Sequence, residues 1–132
     1  MNLNDAKVLV VDDDPLMRRF IAITLNKICV HEIRDVPDGA QALATAGEFL
    51  PDVILSDVHM SPMSGMEFVR QLRALPNRAL SKTAVIMLSA DDNDKTFQLS
   101  VPLGIFGHLP KPPNANALKE LIERALKFKN HT

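Results

Sequence analysis

The chain has 132 residues, 46% of them hydrophobic and 23% charged, which fits one globular domain with one hydrophobic core. Its formal net charge of -1 gives no reason to expect binding to nucleic acid or to an acidic membrane, and no apolar run reaches the roughly 18 residues of a membrane span. The polar N-terminus lacks the apolar core of a signal peptide and the single cysteine cannot form an internal disulfide, so we expect a cytoplasmic protein.

The first third of the chain predicts a strand, a helix and a weaker strand, beginning with KVLVV (7–11), a valine-rich run typical of a parallel strand covered on both faces. Asp14-Pro15 then combines an N-cap residue with proline at the first helical position. The helix repeats its apolar residues at helical spacing: Met17, Phe20, Ile21, Leu25 and Ile28. Cys29 follows this stripe, and we interpret it as a small packing residue. HEIRDV (31–36) is more polar, which favours an edge strand.

The middle of the chain alternates helix and strand again. Small and apolar residues at helical spacing predict a helix over residues 40–50, and VILS (53–56) is a third strand of the buried kind. The next helical stripe covers residues 66–75 and ends before Pro76. AVIML (84–88) is the fourth strand.

The last third predicts a short helix, a strand and the clearest helix of the chain. Residues 92–101 favour a fourth helix, which Pro102 cuts short. IFGHL (105–109) is the fifth strand. Apolar residues at helical spacing from 118 to 126 form the last helix.

Strands that alternate with helices in this way predict βαβ units, and therefore an α/β fold with a parallel sheet and helices on both faces. Right-handed crossovers leave few strand orders, and the polar second strand belongs at an edge. We therefore predict one domain over residues 1–132. It would contain a five-stranded parallel sheet of order 2-1-3-4-5 in a flavodoxin-like, doubly wound (βα)5 three-layer sandwich.

Polar residues follow four of the predicted strands. They are Asp12-Asp13 after strand 1, Asp57 after strand 3, Ser89 after strand 4 and Lys111 after strand 5. The carboxyl ends of parallel strands share one edge of the sheet, and ligands bind where the strand order reverses, here between strands 1 and 3. We therefore expect these five side chains to converge.

Three carboxylates at close range repel one another, which raises a pKa or recruits a cation. Oxygen ligands favour a hard divalent ion such as Mg²⁺, which commonly takes one or two carboxylates and a phosphate oxygen. A lysine and a hydroxyl opposite the metal complete a site for phosphoryl oxygens. The pattern predicts a carboxylate that attacks a phosphoryl donor and becomes an aspartyl phosphate.

Four segments resemble the receiver domain of two-component response regulators, in order and at family-like spacing over nearly the whole chain. They are VLVVDDDPLMRRF, VILSDVHMSPMSGMEF, VIMLSA and GHLPKP. The resemblance implies that Asp57 is the phosphoacceptor. It also implies a magnesium site that consists of Asp12, Asp13, Asp57 and the backbone carbonyl of His59.

The resemblance further implies how the phosphoryl group is bound. Ser89 and the backbone of Ala90 would hydrogen-bond it, Lys111 would pair with it, and the Lys111–Pro112 bond would be cis. Phosphorylation adds charge and acceptors that would draw Ser89 toward the phosphoryl group. In the family a Tyr or Phe three residues before the lysine then turns inward. Here that position is His108, either a switch residue or an exposed histidine without that role.

Other positions depart from the family pattern. Ser61 stands where the family usually has proline, and Pro62 follows it. Pro102 should shorten helix 4, which belongs to the family's usual partner-binding face. The family tunes dephosphorylation two residues beyond the phosphoacceptor and two beyond the Ser/Thr, and these positions are His59 and Asp91 here.

These features predict a stand-alone bacterial receiver that signals through other proteins and is not otherwise an enzyme. It would accept a phosphoryl group from a sensor histidine kinase or a histidine phosphotransfer protein, catalysing its own phosphorylation and slow dephosphorylation. A downstream protein would bind the face built from helix 4, strand 5 and helix 5. Only KFKNHT follows the last stripe, so we expect no DNA-binding output domain, no nucleic-acid partner and no membrane partner.

Three alternatives stay open. A phosphohydrolase with an aspartyl intermediate would need a substrate cap and a second acid two residues after the nucleophile, where the chain has His59. A pseudo-receiver would bind partners without phosphorylation; the intact acids and lysine argue against it, whereas the departures at Ser61 and His108 favour it. A flavin-binding protein would need a loop rich in Ser, Thr and Gly after strand 1, where this chain has acids.

Overall fold

The computed structural model describes residues 1–90 and 103–130. These residues form the strands β1 (Lys7–Val11), β2 (Glu32–Val36), β3 (Val53–Asp57), β4 (Ala84–Ser89) and β5 (Gly107–Pro110). They also form a 3-10 turn (Leu3–Asp5) and the helices α1 (Pro15–Lys27), α2 (Gly39–Phe49), α3 (Gly65–Arg73), α4 (Arg78–Ser81) and α5 (Ala115–Asn130). None of these helices is long and apolar enough to span a bilayer. The helix predicted over residues 92–101 and the shortening effect of Pro102 lie outside the described residues.

The five strands form one parallel sheet of order β2-β1-β3-β4-β5, which confirms the predicted fold class and strand order. All of β3 and all but the first residue of β1 are buried, because helices cover both faces of these central strands. In β2 only Val36 is buried, as expected of the edge strand.

Two hydrophobic cores lie on opposite faces of the sheet, because successive strand residues point to opposite sides. One core joins the sheet to α1 and α5, with Val10, Leu55, Ile21, Leu25, Leu118 and Ile122 among its buried residues. The other joins the sheet to α2 and α3, with Leu9, Ile54, Met87, Ala42, Phe68 and Leu72 among its buried residues. Each large side chain that is fully buried contributes about 1.5–3 kcal/mol, so the strand ends that carry polar residues are held by packing on both sides.

Side-chain caps start two of the helices that begin at the carboxyl edge of the sheet. Asp14 accepts a hydrogen bond from the backbone N–H of Leu16 at 2.9 Å, and Pro15 is the first residue of α1, as predicted. Ser64 caps α3 in the same way, accepting from Glu67 N–H at 3.1 Å. Each cap satisfies a backbone N–H that would otherwise lack a partner in the first turn of its helix.

Two predictions about α1 are wrong. Phe20 is 46% exposed, because Met17, Ile21 and Ile28 share the inward side of the helix and Phe20 lies outside that arc. Cys29 is exposed rather than packed. It has a φ of 71°, the left-handed conformation that commonly closes a helix, and it turns the chain toward β2.

One helix and the start of one strand also differ from the sequence prediction. The one-turn helix α4 was not predicted; Asn77 caps it by accepting from the backbone N–H of Ala79 at 2.9 Å. The strand expected at 105–109 begins at Gly107, which pairs with Ile86, and extends to Pro110. The apolar residues of this run do not show at which residue the pairing of β5 with β4 begins.

Candidate functional site

Three acids converge at the carboxyl edge of the sheet. Asp12 and Asp13 follow β1 directly, and Asp57 is the last residue of the neighbouring strand β3. One carboxylate oxygen from each residue lies within 4.8 Å of the others. Asp12 and Asp57 are buried, whereas Asp13 is exposed. The strand order therefore produces a small acidic cluster that is open to solvent on the Asp13 side.

Lys111 lies against two of these acids. Its Nζ is 3.0 Å from Asp12 Oδ2 and 3.1 Å from Asp57 Oδ2, and its side chain is only 11% exposed. The backbone N–H of Lys111 donates to the carbonyl of Ser89 at 2.9 Å, which fixes the lysine beside the end of β4. One ammonium group is thus shared by two buried carboxylates that have a third acid beside them.

The cluster shifts the pKa values of its members. Burial raises the pKa of Asp57, the Lys111 ammonium lowers it and the Asp12 charge raises it again, with a net rise above the ordinary aspartate value. Burial alone would lower the pKa of Lys111, but its hydrogen bond to Asp12 and the charges of both acids outweigh burial, so that pKa is raised. The lysine stays charged, and ionising Asp57 is costly when no further cation is present.

Backbone contacts hold Asp57 in place. His59 donates its backbone N–H to Asp57 Oδ1 at 3.2 Å, while the His59 side chain is exposed. The N–H of Val58 donates to the carbonyl of Leu88 on β4 at 3.0 Å, and its carbonyl accepts from Gly65 N–H at 2.9 Å. The loop between β3 and α3 is therefore tied both to the sheet and to the start of α3.

The expected phosphoryl-binding residues lie at the same edge where the structure describes them. Ser89 is the last residue of β4 and is fully buried, and Ala90 follows it in an exposed bend. The Lys111–Pro112 peptide bond is cis, and so is Ser61–Pro62, beside the departure from the family pattern.

The structure describes one of the two remaining candidates, His108. His108 pairs in register with Met87, so it is on the sheet face that α2 and α3 cover. It is half-buried. Asp91, the possible tuning residue, lies outside the described residues.

Two residues that shape the site were not predicted from the sequence. A Cβ on Gly65 would lie 2.1 Å from the carbonyl oxygen of Asp57, so only glycine allows α3 to approach this closely. A glycine directly after a Ser N-cap, where a better helix former would be expected, is a signal that could have found it. Arg18 donates to the backbone carbonyl of Asp12 at 2.7 Å, and no local pattern indicates that contact.

The donor set of the acidic cluster fits Mg²⁺. The carboxylates supply hard oxygen ligands, and the exposed position of Asp13 allows a cation to keep several of its waters. One lysine leaves the three acids with excess negative charge, and the raised pKa of Asp57 reflects the cost of that charge in a buried place. A divalent cation would remove this cost.

Comparisons with known proteins agree with this geometry. The model of the response regulator receiver domain family matches residues 8–123. The chemotaxis protein CheY of Pseudomonas aeruginosa is 32% identical over 120 residues, which cover 89% of this chain and 94% of that protein. The chemotaxis response regulator CheY4 of Vibrio cholerae superposes with a TM-score of 0.79 at 36% identity, covering 92% of this chain and 98% of that one. A receiver domain protein from Clostridium thermocellum gives a TM-score of 0.83 at 27% identity, covering 95% and 97% of the two chains.

Proposed function

Because the chain belongs to the response regulator receiver domain family, we propose that Asp57 is its phosphoacceptor and that the acidic cluster binds the Mg²⁺ the reaction needs. The chain is a signalling receiver homologous to CheY, and phosphorylation of an aspartate is the general property of this family. Receiver domains bind Mg²⁺ at a cluster of aspartates, and Asp12, Asp13 and Asp57 form such a cluster. The strongest support for the proposal is the position of Lys111, whose Nζ lies within 3.1 Å of a carboxylate oxygen of both Asp12 and Asp57.

The proposed reaction transfers a phosphoryl group from histidine to aspartate. An oxygen of the Asp57 carboxylate attacks the phosphorus of a phosphohistidine, a P–O bond forms and the P–N bond breaks. A donor imidazole that is protonated on its other nitrogen takes the bonding electron pair and leaves as a neutral ring. Burial and the His59 N–H hold the Asp57 carboxylate in one orientation, which lowers the entropic cost of the attack.

The chain's cationic and polar groups support the transfer from the other side. Lys111, already paired with Asp12 and Asp57, is placed to bind oxygens of the incoming group. Ser89 ends β4 and Ala90 follows it at the same edge, and the Ser89 hydroxyl and the Ala90 backbone N–H would donate hydrogen bonds to the aspartyl phosphate. Mg²⁺, held by the three acids and the His59 carbonyl, would neutralise the charge that the carboxylates and the phosphoryl group bring together.

Phosphoryl donors and output partners follow from the same proposal. CheY-like receivers interact with histidine kinases and with downstream targets. We assign this chain a sensor histidine kinase or a histidine phosphotransfer protein as donor, and self-catalysed phosphorylation and dephosphorylation as its only chemistry. We further propose that the protein acts in the cytoplasm and signals through the face that includes β5 and α5, with His108 on β5 as a candidate switch residue.

The direct test is phosphorylation by a small donor. The protein is incubated with Mg²⁺ and acetyl phosphate, and intact mass is measured; beryllofluoride binding is followed by NMR. We expect one added phosphoryl group in the wild type, loss of it in Asp57→Asn, and loss of it when EDTA removes Mg²⁺. Asp52→Asn is the matched control, since Asp52 is also buried but lies at the opposite edge of the sheet.

Two outcomes would favour the alternatives. Phosphorylation that persists in Asp57→Asn would show that Asp57 is not the phosphoacceptor, and a wild type that never reacts would favour a partner-binding pseudo-receiver. Many turnovers of small phosphoesters would favour a phosphohydrolase.

A further inference from the structure

Arg18 links three elements beside the acidic cluster. From α1, its Nη1 donates to the backbone carbonyl of Asp12 at 2.7 Å and its Nε donates to Asp35 Oδ2 on β2 at 2.8 Å. Its side chain is only 17% exposed, although it lies in a helix that begins at the open edge of the sheet. Two short bonds from one planar guanidinium fix its orientation more firmly than a flexible ammonium would.

The carbonyl that Arg18 contacts belongs to the peptide between Asp12 and Asp13. Other groups of Asp12 are held as well: its N–H donates to the carbonyl of Val36 at 3.1 Å, and its carboxylate accepts from Lys111 at 3.0 Å. Because the peptide unit is planar, fixing the carbonyl also fixes the N–H and Cα of the next residue. Arg18 therefore sets the direction in which Asp13 leaves the backbone.

We propose that Arg18 is a positioning residue for the magnesium site, acting through the Asp12–Asp13 peptide rather than by touching the ion. The proposal rests on the proposed function, since it concerns the affinity of the same acidic cluster for Mg²⁺. Asp35 anchors the guanidinium from the other side, so the edge strand β2 contributes indirectly to the site.

Charge and positioning predict opposite effects of removing Arg18. A cation near three acids repels Mg²⁺, so losing its charge alone should tighten binding. Losing a group that orients a metal-binding residue typically weakens binding by about 10- to 100-fold. Arg19 provides the matched control, because it is the next residue of α1, carries the same charge and is exposed.

The experiment is a titration of the full chain with MgCl₂, followed by calorimetry and by NMR of the backbone amides around residue 13. We expect Arg18→Ala to weaken Mg²⁺ binding about tenfold, while Arg19→Ala leaves it unchanged or slightly tighter. Arg18→Lys keeps the charge but not the two-pronged contact, so we expect an intermediate loss. Asp35→Asn removes the anchor and should also weaken binding, and the loss of its negative charge contributes to that change.

Each outcome bears on the proposal. Equal or tighter Mg²⁺ binding in Arg18→Ala than in Arg19→Ala overturns it. If Arg18→Ala does not fold, as judged by urea unfolding, Arg18→Lys decides because it keeps the charge: unchanged affinity overturns the proposal, and weakened affinity supports it. A wild type that binds no Mg²⁺ would instead contradict the proposed function, which separates the two failures.

Discussion

Both edges of the sheet bury aspartates, but the charges around those aspartates differ. At the amino edge, Asp52 accepts hydrogen bonds from the backbone N–H of Lys7 at 2.9 Å and from the ammonium group of Lys129. At the carboxyl edge, Asp12 and Asp57 share one lysine, and a third acid lies within 4.8 Å of them. The same residue type at similar burial thus has its own cation at one edge and a shared cation at the other.

This contrast separates buried charges that stabilise the fold from buried charges that are available for chemistry. A carboxylate with its own donors is satisfied in the folded protein and has nothing to gain from a ligand. Carboxylates that share a cation leave the folded state with charge that a metal ion or a phosphoryl donor can use, at some cost in stability. Substitutions at the two edges should therefore act on different measurable quantities.

Arg73 gives the largest expected loss of stability, and it lies at the amino edge. Its guanidinium donates to the carbonyls of Leu103, Ser81, Thr83 and Gly104 at 2.7–3.3 Å. Arg73→Ala leaves these acceptors without their shared donor, and we expect the free energy of unfolding to fall by about 3 kcal/mol, measured by urea unfolding.

Mg²⁺ affinity of the folded Arg73→Ala protein should stay at the wild-type value, because the contacts are remote from the acidic cluster. A large drop in that affinity would show that the two edges are not independent.

Gly65 tests the carboxyl edge with a single methyl group. Gly65→Ala would place Cβ 2.1 Å from the Asp57 carbonyl oxygen and 2.8 Å from Met87 Cε, so α3 must shift. We expect a loss of about 2 kcal/mol in urea unfolding together with weaker Mg²⁺ binding, because Asp57 moves with its backbone. The control is Gly47→Ala at an exposed position of α2, where nothing lies within 4 Å of the new Cβ. It should stabilise the protein by about 0.5–1 kcal/mol and leave Mg²⁺ binding unchanged.

Lys111 and Lys129 are the matched cations of the two edges. Lys111 holds the carboxylate oxygens that Mg²⁺ needs, so Lys111→Met should tighten Mg²⁺ binding about tenfold while preventing phosphorylation by acetyl phosphate. Lys129→Met removes a half-exposed partner of Asp52 and should cost at most about 1 kcal/mol without changing either property. Weaker Mg²⁺ binding in Lys111→Met would mean that the lysine organises the site rather than competing for it.

The smallest expected effect is a pH dependence of stability that comes from Asp57. Its pKa is raised in the folded protein, so folding favours the protonated form. Protonated Asp57 therefore contributes to the free energy of unfolding. This contribution is fully present below the ordinary aspartate pKa and is lost as the pH rises through the raised pKa of Asp57 in the folded protein. In EDTA, Asp57→Asn should therefore be more stable than the wild type at neutral pH, with the difference vanishing on acidification, as followed by urea unfolding across pH. Asp52→Asn should lose about 1 kcal/mol instead, and a gain in that variant would contradict the comparison.

The sequence could predict what depends on local pattern. Valine-rich runs predict buried central strands, polar HEIRDV predicts the edge strand, and parallel pairing then brings the acids together whatever their distance along the chain. The start of α1 was equally local, because Asp14 and Pro15 carry both of its signals.

What the sequence could not predict depends on contacts between distant segments. The outward position of Phe20, the extra turn of α4 and the late start of β5 are decided by which side chains the neighbouring elements bury. The hydrogen bond from Arg18 to the Asp12 carbonyl depends on how α1, β1 and β2 are arranged together. Arg18 and Arg19 therefore look alike in the sequence but make different contacts in the structure.

The exposed turn at Cys29 has a practical consequence. Cys29 is the sole cysteine of the chain and lies just beyond the last residue of α1. The first residue of α1 lies beside the acidic cluster, and the 13-residue helix is about 20 Å long, so the thiol is about that far from the cluster. A maleimide dye or a gold surface would therefore attach at one defined point without any engineered substitution. The acidic cluster of the immobilised molecule would then face the solution, which suits single-molecule measurements.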